Sequence, residues 1–190
     1  MVEQQPNQQR QCIIPIHKPS RKEYAFFFVS GIVVSIPFAV FFESLYPAAA
    51  SSLILIVLVA PFVEELAKVF PLFYRHGETQ RSIVMLGILI GVGFGVAELV
   101  EYVVLADIPI IARIPGIVFH GSSAAIVAYG IAKKKPLPYY MIAVFLHIAN
   151  NFFAVSASPL FIVPQVVVLV AVYALAWRYW HKANPEVIVV

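Results

Sequence analysis

The stretch Pro61–Lys68, with the sequence PFVEELAK, places three charged residues inside an apolar run that is long enough to cross a bilayer. The run itself extends over about Ala48–Tyr74. A charged side chain at the centre of a membrane helix costs roughly 2.5–3.5 kcal/mol, so three cost on the order of 8–10 kcal/mol. Such a cost is tolerated where the charged groups face a polar interior and have partners. Glu64, Glu65 and Lys68 therefore indicate a functional site within a membrane.

The composition supports an integral membrane protein. The 190-residue chain is 61% hydrophobic and 12% charged, with a mean hydropathy of +0.87. A soluble domain is usually about half apolar and a quarter charged. We therefore expect an all-α, polytopic helical bundle that forms one domain. The single cysteine, Cys12, excludes an intrachain disulfide framework and a cysteine-based structural metal site.

Six apolar segments follow a polar N-terminal region. Residues 1–23 are rich in glutamine and predict a flexible cytoplasmic tail, residues 24–182 the transmembrane domain, and residues 183–190 a short C-terminal tail. Each segment is close to the ~20 residues that a membrane helix needs, whereas a β-barrel would show alternating segments of ~10 residues. The predicted spans are about Tyr24–Tyr46, Ala48–Tyr74, Ser82–Ala106, Pro109–Ala132, Leu137–Val155 and Pro159–Trp180.

Basic residues give the orientation. In a six-span arrangement Lys68 lies inside the membrane and Arg113 lies on one side, whereas all the other basic residues lie on the opposite side. Because basic loops stay in the cytoplasm, we expect both termini to be cytoplasmic. The residues on that side are Arg10, Lys18, Arg21, Lys22, Arg75, Arg81, Lys133, Lys134, Lys135, Arg178 and Lys182.

Further polar residues lie inside the third, fourth and fifth spans. Counting the helical rise of 1.5 Å per residue from the predicted cytoplasmic ends puts this set roughly 10–24 Å deep in a hydrocarbon core of ~30 Å. Four helices therefore place polar groups in one central slab, and we expect them to meet. The residues whose depth is counted are Glu64, Lys68, Glu98, His120, His147 and Asn151.

Local spacing adds two expectations. Gly87, Gly91 and Gly95 recur every four residues in the third span and predict a seam at which another helix approaches closely. Pro61 lacks a backbone N–H, so it removes one helical hydrogen bond just before the acidic pair and leaves a carbonyl for a polar cavity.

Three kinds of function fit these buried groups. A glutamate in an apolar setting can act as general base on a trapped water, with a histidine or asparagine stabilising the oxyanion, which is the chemistry of peptide hydrolysis. Zinc held by Glu64 or Glu65 together with Glu98, His120 and His147 would also activate water, although the spans lack the helix of zincins with two histidines four residues apart. The groups also suit a structural network or an ion path.

The residues differ in their expected roles. Glu64 and Glu65 are the candidates for activating water, and sequence spacing does not separate neighbours about 100° apart on a helix. We expect Lys68 to balance their charge. His147 and Asn151 are the candidates for oxyanion stabilisation, with Asn150 as a competitor of Asn151.

Four motifs in this order resemble the PrsW family of intramembrane proteases. The resemblance covers roughly residues 55 to 155 and extends to a superfamily that includes CAAX prenyl proteases and bacteriocin-immunity proteins. The CAAX branch has histidine at the position of Glu98, which favours the PrsW branch. The motifs are Glu64-Glu65-x-x-Lys68, Gly93-Phe94-x-x-x-Glu98 with Tyr102, Arg113-x-Pro115-Gly116-x-x-Phe119-His120, and His147-x-x-x-Asn151-Phe152.

This resemblance implies a glutamate-type membrane endopeptidase in a prokaryotic cell membrane, with a polar cavity inside the bundle. It implies that Glu64 and Glu65 activate the water and that Glu98, His120, His147 and Asn151 complete the site. Similar proteases cut single-pass regulatory proteins, so we expect a membrane-associated substrate and a lipid bilayer as partners, no nucleic acid and no cofactor. The alternatives are a small transporter and a non-catalytic scaffold, since the superfamily also resembles the Aph subunit of γ-secretase.

Overall fold

The computed structural model describes residues 16–45, 52–74, 78–156 and 158–189, apart from the side chains of residues 43 and 74. Within these ranges the chain is helical and contains no strand, which confirms the all-α prediction. The predicted flexibility of the N-terminal tail concerns residues that lie mostly outside the described part of the chain.

Six helical segments, α1 to α6, account for the fold. Two of them contain a π-helical stretch, and two include a short 3₁₀ turn at one end. The segments are α1 (Arg21–Ser30, π-helical Gly31–Ser35, Ile36–Ser44), α2 (Ser52–Ile54, π-helical Leu55–Val59, Ala60–Val69, 3₁₀ Phe70–Tyr74), α3 (Gln80–Ala106), α4 (Ile110–Ala132), α5 (Pro136–Val155) and α6 (3₁₀ Pro159–Phe161, Ile162–Lys182).

Five of these segments are long and apolar enough to cross a membrane, judged by length and composition within the described residues. They are α1, α3, α4, α5 and α6. The segment outside this group is α2, which contains the charged residues Glu64, Glu65 and Lys68. The count of six spans and the cytoplasmic placement of both termini remain predictions.

Capping residues set the beginnings of α1 and α3 slightly before the predicted positions. Ser20 and Glu23 form a capping box, in which Ser20 N donates to Glu23 Oε2 at 2.7 Å and Glu23 N donates to Ser20 Oγ. Thr79 accepts from Ser82 N in the same way at the start of α3. These side chains accept from backbone N–H groups that have no partner within the helix, so each helix begins at the residue that follows its cap.

The predicted glycine seam is confirmed and forms the interface between α3 and α4, the most extensive helix contact in the bundle. A Cβ at Gly91 would clash with the backbone carbonyl of His120 and with Ala124, and one at Gly87 would clash with Ala128. Ile90 is fully buried at this interface. The close approach brings His120 of α4 against α3, which also carries Glu98.

Both ends of the described chain meet the loop between α2 and α3. Val189 N donates to Glu78 O at 2.8 Å, and Gln80 N donates to Val187 O at 3.0 Å. His17 Nε2 lies 2.9 Å from Glu23 Oε1 and 3.9 Å from Glu78 Oε1. These contacts identify one face of the bundle, which we call the chain-end face.

Candidate active site

A cavity of about 270 Å³ lies inside the bundle and is lined by all six helical segments. It lies in the half of the bundle that is distant from the chain-end face, because each segment contributes residues from that half. Representative lining residues are Ile36 and Ala39 of α1, Ile56 and Ala60 of α2, Glu98 and Tyr102 of α3, Ala112 and Gly116 of α4, Asn151 and Val155 of α5, and Gln165 of α6.

The neighbours Glu64 and Glu65 occupy different environments. Glu64 lines the cavity, with a side chain that is 14% exposed. Glu65 is completely buried, and its Oε1 accepts from Lys68 Nζ at 2.6 Å. Packing around α2 therefore separates two carboxylates that the sequence could not distinguish.

His147 on α5 connects the two glutamates. Its Nδ1 lies 2.8 Å from Glu65 Oε1, and its Nε2 lies 3.8 Å from Glu64 Oε2. An ionised carboxylate only accepts hydrogen bonds, so Nδ1 donates to Glu65, and a neutral ring then has its lone pair on Nε2. The separation of 3.8 Å from Glu64 is too long for a direct hydrogen bond.

His120 on α4 is buried between a cation and an anion. Its Nδ1 lies 2.8 Å from Lys68 Nζ, and its Nε2 lies 2.7 Å from Glu98 Oε2. The side chain of Lys68 is fully buried and also faces the ring of Phe94, with Nζ 5.0 Å from the ring centroid. Lys68 thus contacts Glu65 and His120 at once.

Arg113 completes the polar set and was not among the predicted site residues. Its Nη2 lies 2.8 Å from Glu98 Oε2, and its guanidinium carbon lies 3.9 Å above the centre of the Tyr102 ring. Two signals in the sequence could have identified it, and the first is that Arg113 begins the third motif. The second is that Arg113 is the single basic residue that the orientation rule places away from the predicted cytoplasmic side.

Asn151 lines the cavity and also contacts the π-helical part of α2. In the π-helical stretch each N–H bonds to the carbonyl five residues earlier, as Ala60 does to Leu55. By the same register Pro61 would bond to Ile56 O but has no N–H. Asn151 Nδ2 donates to Ile56 O at 3.0 Å and replaces the missing donor.

The predicted convergence of the polar residues is therefore seen in the structure. Glu64, Glu98, His120, His147 and Asn151 line one cavity, while Glu65 lies behind it. An unbroken series of polar contacts between 2.6 and 2.8 Å connects four helices. In order, the series runs through Arg113, Glu98, His120, Lys68, Glu65 and His147.

A bundle with five helices long and apolar enough to cross a membrane, and with ionisable residues around an internal cavity, is typical of an integral membrane protein with an internal polar site. The sequence model of the family described as PrsW family intramembrane metalloproteases matches residues 19–177. The chain belongs to this family, which confirms the predicted resemblance and supports an intramembrane peptidase. Searches of curated proteins and of solved structures gave no match.

The family description raises the question of a metal ion. One ligand atom each from Glu64, His120 and His147 lie within 4.8 Å of one another, and these donor types suit zinc. His147 also has the carboxylate partner that zinc-bound histidines usually have. His120 does not fit, because Lys68 donates to Nδ1 and Glu98 accepts at Nε2, so neither nitrogen offers a free lone pair. As arranged, the site does not fit a metal ion.

Proposed function

We propose that this protein is a glutamate-type intramembrane endopeptidase in which Glu64 activates a water molecule. The observation that carries the proposal is the gap of 3.8 Å between Glu64 Oε2 and His147 Nε2 at the cavity wall. Both atoms accept hydrogen bonds in the arrangement described above, and a water donates two. A water held beside them would therefore be oriented by both groups.

In the proposed reaction Glu64 takes one proton from this water while the water oxygen attacks the carbonyl carbon of a peptide bond. The tetrahedral intermediate collapses when its C–N bond breaks, and the proton on Glu64 passes to the leaving amine. The products are a carboxylic acid and an amine, and Glu64 is ionised again. Glu65 is not exposed to the cavity, so its role is to hold His147 through Nδ1.

The remaining residues of the predicted site have supporting contacts. Glu98 accepts from both His120 and Arg113 through Oε2. Asn151 donates to the backbone of α2, and His147 donates to Glu65. The oxyanion role expected for Asn151 and His147 stays a prediction.

We infer that the substrate is a membrane-associated protein of a prokaryotic cell membrane. In each of the six segments, the residues that line the cavity belong to the half of that segment that is distant from the chain-end face. If both termini are cytoplasmic, as the basic residues indicate, the scissile bond lies in the outer half of the bilayer. A segment with small or helix-breaking residues there would reach the cavity most easily, because its carbonyls are less protected by helical hydrogen bonds.

The test is cleavage of single-pass reporter proteins by the purified protein in liposomes. Glu64→Gln keeps the shape of the side chain and removes the base, so cleavage should fall by about 10²–10⁴-fold. Asp107→Asn is the matched control, because Asp107 caps α3 with a φ of 53° that asparagine also tolerates. Equal cleavage by the wild type and Glu64→Gln would contradict the proposal.

A scaffold and a transporter give different results in the same system. The scaffold alternative predicts no cleavage of any reporter together with stable co-purification of a partner. The transporter alternative predicts ion or solute flux that Glu64→Gln removes. Either result would replace the proposed peptidase activity.

A further inference from the structure

We infer that the buried ion pair of Glu65 and Lys68 fixes opposite tautomers on the two histidines, so that His147 accepts a hydrogen bond in the cavity and His120 donates one. Lys68 is then a positioning residue rather than only a balancing charge. The roles of the two histidines in hydrolysis rest on the function proposed above, whereas their tautomers follow from the contacts alone.

The Lys68 contact determines the tautomer of His120. An ammonium group has three donors and no acceptor, so the nitrogen 2.8 Å from Lys68 Nζ must present a lone pair. That nitrogen is Nδ1, and the hydrogen of a neutral ring therefore lies on Nε2. Glu98 imposes the same choice from another helix, because its Oε2 lies 2.7 Å from Nε2 and accepts.

The Glu65 contact determines the tautomer of His147, which is the opposite of the His120 tautomer. Glu65 Oε1 lies 2.8 Å from Nδ1 and accepts, so the hydrogen lies on Nδ1 and the lone pair on Nε2. Glu65 Oε1 also accepts from Lys68 at 2.6 Å. One buried carboxylate and the ammonium three residues later thus set both rings.

The two rings are close enough to act on one peptide bond. Their centroids are 5.4 Å apart, and both side chains line the cavity. In the reaction proposed above, the lone pair of His147 orients the attacking water, and the Nε2–H of His120 is shared between Glu98 Oε2 and the oxygen on which negative charge develops. Lys68 holds Nδ1, so the ring stays in place, and Arg113 keeps its contact with Glu98 Oε2 while the His120 hydrogen is shared.

The expected role of Lys68 is therefore electrostatic and directional. Without its ammonium, Nδ1 of His120 has no imposed donor, and among the described residues the Glu98 contact at Nε2 is the one contact that still favours this tautomer. The ammonium also adds a fixed positive charge behind the imidazole that stabilises the oxyanion. Loss of Lys68 should then reduce turnover more than substrate binding.

The experiment is nitrogen NMR of the protein labelled with ¹⁵N-histidine, in lipid nanodiscs, with His120→Asn and His147→Asn variants to assign the signals. Protonated and unprotonated ring nitrogens differ strongly in chemical shift, so each tautomer is read directly without an activity assay. We expect the hydrogen on Nε2 in His120 and on Nδ1 in His147. A hydrogen on Nδ1 of His120, or the same tautomer on both rings, would overturn the inference.

Variants of the ion pair give a second readout. Lys68→Met leaves His120 held by Glu98 alone, so the fraction of rings with the hydrogen on Nε2 should fall, and kcat should fall by about 10²–10³-fold with a smaller change in KM. Lys182→Met, an exposed lysine at the end of α6, is the matched control. If Lys68→Met does not fold, Glu65→Gln/Lys68→Met removes both buried charges, and we expect it to lower the population of the expected tautomer on both rings. Unchanged tautomers in these variants would contradict the inference, whereas failure of the wild type to cleave any reporter would contradict only the proposed function.

Discussion

Lys68 Nζ lies 2.8 Å from Nδ1 of His120, across the contact between α2 and α4. The same ammonium donates to Glu65 Oε1 at 2.6 Å, so a single buried cation connects the acidic motif of α2 to the histidine of α4. Because an ammonium cannot accept a hydrogen bond, this contact places the lone pair of His120 on Nδ1 and the hydrogen of the neutral ring on Nε2. Lys68 was expected to balance charge, and this contact shows that it also determines which nitrogen of His120 can donate a hydrogen bond.

The two glutamates of α2 should respond differently to the same substitution. Glu65→Gln leaves the Lys68 ammonium buried without its carboxylate, so we expect the free energy of unfolding to fall by about 3–5 kcal/mol. Glu64→Gln should lower cleavage by about 10²–10⁴-fold but change stability far less, because Glu64 faces the cavity. Reversible unfolding in mixed micelles measures both effects. Equal destabilisation by the two variants would contradict the separate environments of Glu64 and Glu65.

The hydrogen bond from Asn151 to Ile56 O should depend on Pro61. Asn151→Ala removes the donor from a carbonyl that Pro61 leaves free, which we expect to cost about 1–3 kcal/mol of stability. In a Pro61→Ala background the restored N–H bonds to Ile56 O, so the same Asn151→Ala change should cost less. A double-mutant cycle on the free energy of unfolding measures this coupling. Additive effects would show that Asn151 does not replace the proline's missing donor.

Arg113 should influence activity through Glu98. Arg113→Met removes a charge-assisted hydrogen bond worth about 1.5–3 kcal/mol, so we expect cleavage to fall by about 10- to 100-fold. Arg113→Lys should retain part of the activity, because it keeps the charge but not the stacking on Tyr102. Arg178→Met, at an exposed position of α6, controls for the loss of a cation. Wild-type activity of Arg113→Met would exclude this role.

The glycine seam should tolerate no added methyl group beside His120. Gly91→Ala would press a Cβ against the His120 carbonyl and Ala124, so we expect a loss of about 1–3 kcal/mol from overpacking. Gly116→Ala on α4 is the matched comparison, because the nearest atom to its Cβ would be 3.7 Å away on the Arg113 side chain. The melting temperatures of the two variants, measured in detergent, test this prediction, and that of Gly91→Ala should be lower. Similar values would contradict the packing described for α3 and α4.

The fold was largely predictable from hydrophobic segment length, and the meeting of the polar residues was predictable from helical rise. Depth counting placed Glu98, His120 and His147 in one slab, and the structure brings them to one cavity. The separation of Glu64 from Glu65 was not predictable, because it depends on how α2 is rotated against its neighbours. The Lys68 contact with His120 was also not predictable, because 52 residues separate the partners in the sequence. The role of Asn151 at Ile56 O depends on a π-helical register that hydrophobic pattern does not indicate.

The most direct test of the proposed mechanism is cleavage of a single-pass reporter by purified protein whose metal content is measured before and after treatment with a strong chelator. Because Lys68 and Glu98 occupy both nitrogens of His120, we expect the cleavage rate to remain unchanged after chelation and to depend on Glu64. A rate that falls to the level of Glu64→Gln on chelation and returns when zinc is added would contradict water activation by glutamate alone.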